Sequence, residues 1–148
     1  MMIPESSLVL ALCRTPLADA ARNLAHAIIA GPVNWDRVLS VARAFEVEPV
    51  FCSNLIALSG APIPDDVLDM AAIRERESRA LALAGTLVLV DIASRLENAG
   101  IPVIVLKGPA LGVTAYGDAS MRTFRDIDLL VRREDVLRGR CRIGDDQR

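Results

Sequence analysis

The hydrophobic period of the chain changes once, and late. Up to Asn98 its apolar residues recur at helical spacing, but after Gly100 comes Ile101-Pro102-Val103-Ile104-Val105-Leu106, a β-branched run of strand length. Helices that give way to strands only near the end exclude an all-β sandwich, and the strands exclude a pure bundle. The predicted class is α+β, with a helical region over residues 1–99 and a strand-helix-strand segment over 100–138. Aromatic residues make up only 3% of a sequence that is 52% hydrophobic, so the core must be aliphatic and rich in alanine, which suits closely packed helices. A chain of 148 residues carries enough apolar material for one ordinary core.

The helical region divides at its breakers. Pro16 opens a pattern with Asp19, Arg22, Asn23 and His26 on a polar face and Leu17, Leu24 and Ile28 opposite, ending at Gly31-Pro32. Asn34 is placed to cap a helix with the stripe Trp35, Val38, Ala42 and Phe45, and Glu48–Leu58 predicts another before Gly60-Ala61-Pro62. From Pro64 to Asn98 one long pattern sets Val88, Ile92 and Leu96 against Asp91, Ser94, Arg95 and Asn98, with Gly85 as the place where it would break.

Several chemistries are excluded early. A single histidine, His26, rules out a two-His metal site, and its expected solvent face offers it no catalytic partner at helical spacing. Cys13, Cys52 and Cys141 are odd in number and far apart, which suggests neither a disulfide framework nor a zinc site. The apolar runs Leu8–Cys13 and Ala80–Val90 fit neither a signal peptide nor a spanning helix, so a cytoplasmic chain without a membrane partner is expected. Net charge is −2, and the mildly basic second part, nine Lys/Arg against seven acids over residues 101–148, falls short of a nucleic-acid-binding stripe.

What remains is "LKGPALGVTAYGDASMRTFRDIDLLV" at Leu106–Val131, which holds the only lysine of the chain. The segment predicts a short helix over Pro109–Tyr116, a turn at Gly117-Asp118 and a strand over Asp126–Val131. Alternation along that strand puts Asp126 and Asp128 on one face. Two carboxylates so close repel unless a cation lies between them, and a hard divalent ion, Mg²⁺ or Mn²⁺, is the usual answer. Lys107-Gly108 at the end of the first strand, the following helix N-terminus, and Arg122 and Arg125 just upstream are parts suited to a triphosphate.

These residues resemble the uncharacterised nucleotidyltransferases of the DNA polymerase beta-type superfamily. The resemblance rests on "GIPVIVLKG" at Gly100–Gly108, then Tyr116, Arg122 and "DIDLLV" at Asp126–Val131, and more loosely on "NWDRVLSVARAFEVEPV". It implies a partial nucleotidyltransferase-type β-α-β core in which Asp126 and Asp128 are the catalytic, metal-holding pair and Lys107, Gly108 and Arg122 meet the nucleotide. The implied reaction passes a nucleoside monophosphate from a nucleoside triphosphate to an acceptor that the sequence does not name. Lys107 has two roles open to it, binding phosphate or pairing with Asp126 or Asp128, and Arg122 likewise either binds phosphate or braces the acidic strand.

The superfamily usually adds a third carboxylate from a later strand. After Arg138 no period survives, so residues 139–148 read as an irregular tail, Asp145 and Asp146 as acids without a strand, and the core as truncated. A glycosyltransferase would show strands among the first hundred residues, and a haloacid-dehalogenase-type phosphatase would have Thr or Val where Leu130 stands. The alternative from another class is a non-catalytic helical interaction or nucleotide-binding module.

Overall fold

The structure is a computed structural model, and it describes residues 4–144. Seven α-helices and one two-stranded antiparallel sheet make it an α+β protein among the described residues. Two compact units are present. One comprises the chain up to Ala80 with Ser120–Thr123; the other comprises Leu81–Ala119 with the chain from Phe124 onward. The division falls inside the helix that runs from Asp65 to Asn98.

In the first unit, α1 (Pro4–Leu12) packs against α2 (Asp19–Ile29), α3 (Trp35–Ala44) and α4 (Glu48–Ile56). Its Leu8, Val9, Ala11 and Leu12 are buried together with Ala25, Val38, Phe51 and Leu55. The Asn54 amide donates to the carbonyls of Leu12 and Arg14, both at 2.8 Å, supplying partners where α1 runs out of its own. Asn34 caps α3 as expected, its side chain accepting from the Arg37 N–H at 3.0 Å. At the other end of α3, Val47 N–H donates to Ala42 and Glu46 N–H to Arg43, a Schellman closure with Glu46 at φ 56 where glycine is the usual residue.

Two expected helix faces are rotated. In α2 the buried residues are Ala21, Ala25 and Ile29, while Leu24 is half exposed, because small side chains let the neighbouring helices approach. Phe45, expected in the α3 stripe, is the C-cap residue and is 74% exposed.

Cys52 is fully buried in the first unit, and burial pushes its thiol up to about 12 from 9.0. Below pH 9 the folded and unfolded thiols both keep their proton. Above it the unfolded chain ionises first, so stability should fall as pH rises from 9 toward 12, by up to about 4 kcal/mol over three pH units. Urea titrations across that range should show the loss, and Cys52→Ala should flatten it; an equally steep alkaline limb in the variant would assign the loss elsewhere.

α5 (Asp65–Asn98) is one continuous helix of 34 residues, without a break at Gly85. A Cβ at Gly85 would lie 2.5 Å from Cε2 and Cζ of Phe124, so the glycine makes room for a ring rather than a kink. In its second half Ala82, Leu89 and Leu96 are buried at a spacing of seven, while Val88, expected on the apolar face, is 52% exposed. No described helix is long and apolar enough to cross a membrane.

α5 ends in a second Schellman closure. Ile101 N–H donates to Leu96 at 2.9 Å, Gly100 N–H donates to Glu97 at 2.8 Å, and Gly100 takes φ 69. Leu96 and Ile101, each 1% exposed, are the buried apolar pair that accompanies this motif. The remaining elements are β1 (Val103–Val105), α6 (Pro109–Tyr116), β2 (Leu129–Val131) and α7 (Val136–Gly144). α7 corrects the expected irregular tail at 139–144: Arg138 binds Asp135 at 2.8 Å and the Ala99 carbonyl at 3.0 Å, and Gly139 is buried over Leu96. Asp145 and Asp146 lie outside the described residues.

Candidate functional site

β1 and β2 pair antiparallel in the register Val103↔Val131, Ile104↔Leu130 and Val105↔Leu129. Both strands are shorter than their apolar runs. Ile101 belongs to the cap of α5, and Asp126–Asp128, expected as strand, precede β2 as irregular chain. The pairing still extends one step, because Leu106 N–H donates to the Asp128 carbonyl at 2.9 Å. It stops at Gly108, whose φ of 73 turns the chain into α6. A Cβ on Gly108 would stand 3.3 Å from the Asp126 carbonyl oxygen and 3.4 Å from Ile127 Cγ1, so glycine lets the acidic segment pass close beside the turn.

This arrangement brings Lys107 to the aspartates. Its Nζ lies 2.8 Å from Oδ2 of Asp128, and both side chains remain open to solvent, at 55% and 38%. Asp126 is exposed and lines a shallow cleft of about 450 Å³ with Phe124 and with Leu81, Ala84 and Val88 of α5. Arg125 is exposed at the same cleft. Of the two roles open to Lys107, pairing with Asp128 is the one seen here.

Arg122 is half-buried and belongs to the first unit, whereas Lys107, Gly108, Asp126 and Asp128 belong to the second. The cleft was not anticipated from sequence. Its signal was a glycine in the middle of a helical pattern together with the only phenylalanine of the segment, Phe124, some forty residues later. Nothing local links the two.

Asp126 and Asp128 carry oxygen donors of the class that a hard cation takes. Asp126 and Asp128 offer carboxylate oxygens at the surface, and Lys107 already places a positive charge against one of them. No group of three or more His, Cys, Asp or Glu able to hold a metal occurs among the described residues. Two carboxylates match Mg²⁺, which keeps several waters and is held by one or two protein carboxylates together with substrate phosphates. Cys52, buried in the first unit with its thiol pushed up to about 12, is an inert thiol and no nucleophile for this site.

Residues 31–141 match the protein family described as Uncharacterised nucleotidyltransferase. The chain belongs to this family. Neither the curated proteins nor the solved structures contain a match to it. The segment shared with the uncharacterised nucleotidyltransferases runs from just before α3 into α7 and contains every candidate site residue, while α1 and α2 precede it.

Proposed function

We propose that the chain binds a nucleoside triphosphate through Mg²⁺ or Mn²⁺ at Asp126 and Asp128 and transfers its nucleoside monophosphate to an acceptor. The observation that carries this reading is the cation already seated at Asp128: within the family segment, Lys107 lies 2.8 Å from a carboxylate two residues from Asp126. A metal held there would supply a Lewis acid for the phosphate oxygens. Asp126 and Asp128 would hold the ion through which the triphosphate is positioned, and Gly108, lacking a side chain, lets the acidic segment and the start of α6 come together. An acceptor oxygen then forms its bond to the α-phosphorus in line with the departing pyrophosphate.

A non-catalytic nucleotide-binding module is the second reading, favoured by the finding that no group of three or more His, Cys, Asp or Glu able to hold a metal occurs among the described residues. Binding and transfer separate the two. Calorimetry with ATP and GTP in Mg²⁺, repeated in chelator, should give metal-dependent affinity, and Asp126→Ala/Asp128→Ala should weaken it by about tenfold or more. Equal affinity of the two proteins in Mg²⁺ rejects the site. Binding without passage of labelled nucleotide to any acceptor favours the module.

A further inference from the structure

We propose that Lys107 is an exchangeable counter-ion of this site, neutralising Asp128 until a divalent ion arrives with nucleotide and then passing its ammonium to the phosphates. This regulation rests on the nucleotide reading above.

Three observations lead to it. Lys107 is the only lysine of the chain, and a lysine is a compact point charge on a flexible stem, better able than arginine to exchange one oxyanion for another. It sits one residue before Gly108, where φ of 73 ends the strand and opens α6, so its backbone is fixed while its side chain is over half exposed. Its contact with Asp128 is a 2.8 Å ion pair between solvent-exposed groups, a class of interaction that restrains a side chain weakly.

That weakness decides the behaviour. A buried pair would shut the carboxylate off from metal, whereas an exposed one sets a modest threshold that a bare ion must overcome. A metal-nucleotide complex brings compensation, because each phosphate oxygen offers the displaced ammonium a charge-assisted hydrogen bond. The site would thus favour the metal-nucleotide complex over free metal ions, and Lys107 would set that preference.

The test is Lys107→Met, which keeps most of the apolar stem and removes the charge. Mn²⁺ binding followed by electron paramagnetic resonance, without nucleotide, should tighten by about two- to fivefold, the equivalent of losing a surface ion pair. In excess Mg²⁺, ATP affinity should weaken by roughly tenfold, as expected when a phosphate loses a charged donor. Lys107→Arg should restore the wild-type Mn²⁺ value. Opposite shifts in the two affinities support the exchange, since a merely structural lysine would not separate them. Unchanged Mn²⁺ affinity in Lys107→Met, with wild type binding Mn²⁺ and nucleotide normally, overturns the exchange and leaves the nucleotide site standing. A wild-type chain that binds neither overturns both.

Discussion

Valine in place of Gly112 should destabilise the second unit by about 3 kcal/mol or more, at the upper end of the overpacking range, and lower its thermal midpoint by roughly 10 °C. Gly112 is buried in α6, and a Cβ there would stand 2.8 Å from Cα, 2.9 Å from O and 3.1 Å from C of Ala119. All three are backbone atoms, so relief requires moving the chain itself. Gly112→Ala makes the sharper test, because it separates two opposed effects. At an open helical position, alanine would stabilise by about 1 kcal/mol through its better helix propensity. Here the contact should outweigh that gain, and a higher midpoint for Gly112→Ala would show that α6 and Ala119 do not approach this closely. The same segment leads on to Asp126, so a loosened α6 should also weaken metal-dependent nucleotide binding.

The second large effect belongs to the other unit. Phe51 of α4 is fully buried in the cluster formed by α1, α3 and α4 with the start of α5, and it is one of only three phenylalanines. Removing its ring should cost about 3–5 kcal/mol, a large share of the roughly 5–15 kcal/mol that holds an ordinary domain folded. Urea denaturation of Phe51→Ala should show the midpoint moving far with little change in slope. A loss below about 1 kcal/mol would mean that neighbouring aliphatic side chains collapse into the space and that the core does not depend on the ring.

Helix ends were legible in the sequence because their causes are local. Asn34 three residues before its Arg37 N–H partner, and Gly100 directly after the long pattern, are signals that a few neighbouring atoms decide. Helix faces were less legible. Leu24 and Val88 read as inward from their spacing, yet both are about half exposed, since which face is covered depends on helices distant in sequence. α1 gave no periodic signal for the opposite reason: Leu8, Val9, Ala11 and Leu12 are all buried against surrounding helices, which leaves its sequence without a polar side to alternate with.

The site follows the same division. Lys107, Asp126 and Asp128 could be grouped because a strand pair joins their segments, and the bond from Leu106 to Asp128 carries that pairing to the point where the charges meet. The strand expected over Asp126–Asp128 fails for a reason seated across the pair: its partner turns away at Gly108. The contact of Phe124 with Gly85 depends on a meeting of distant residues and left no local trace.

The placement of the chain's single tryptophan and single tyrosine gives each unit its own optical reporter. Trp35 opens α3 and packs against the core of the first unit, whereas Tyr116 closes α6 in the second. Indole emission, excited at the red edge where tyrosine does not absorb, therefore follows only the helices around Phe51. The near-ultraviolet dichroism sums indole and phenol, so whatever part of it departs from the indole-emission melt follows the elements around Gly112 and Asp126. One melt read in both bands tells which unit opens first, with no label attached and no residue replaced.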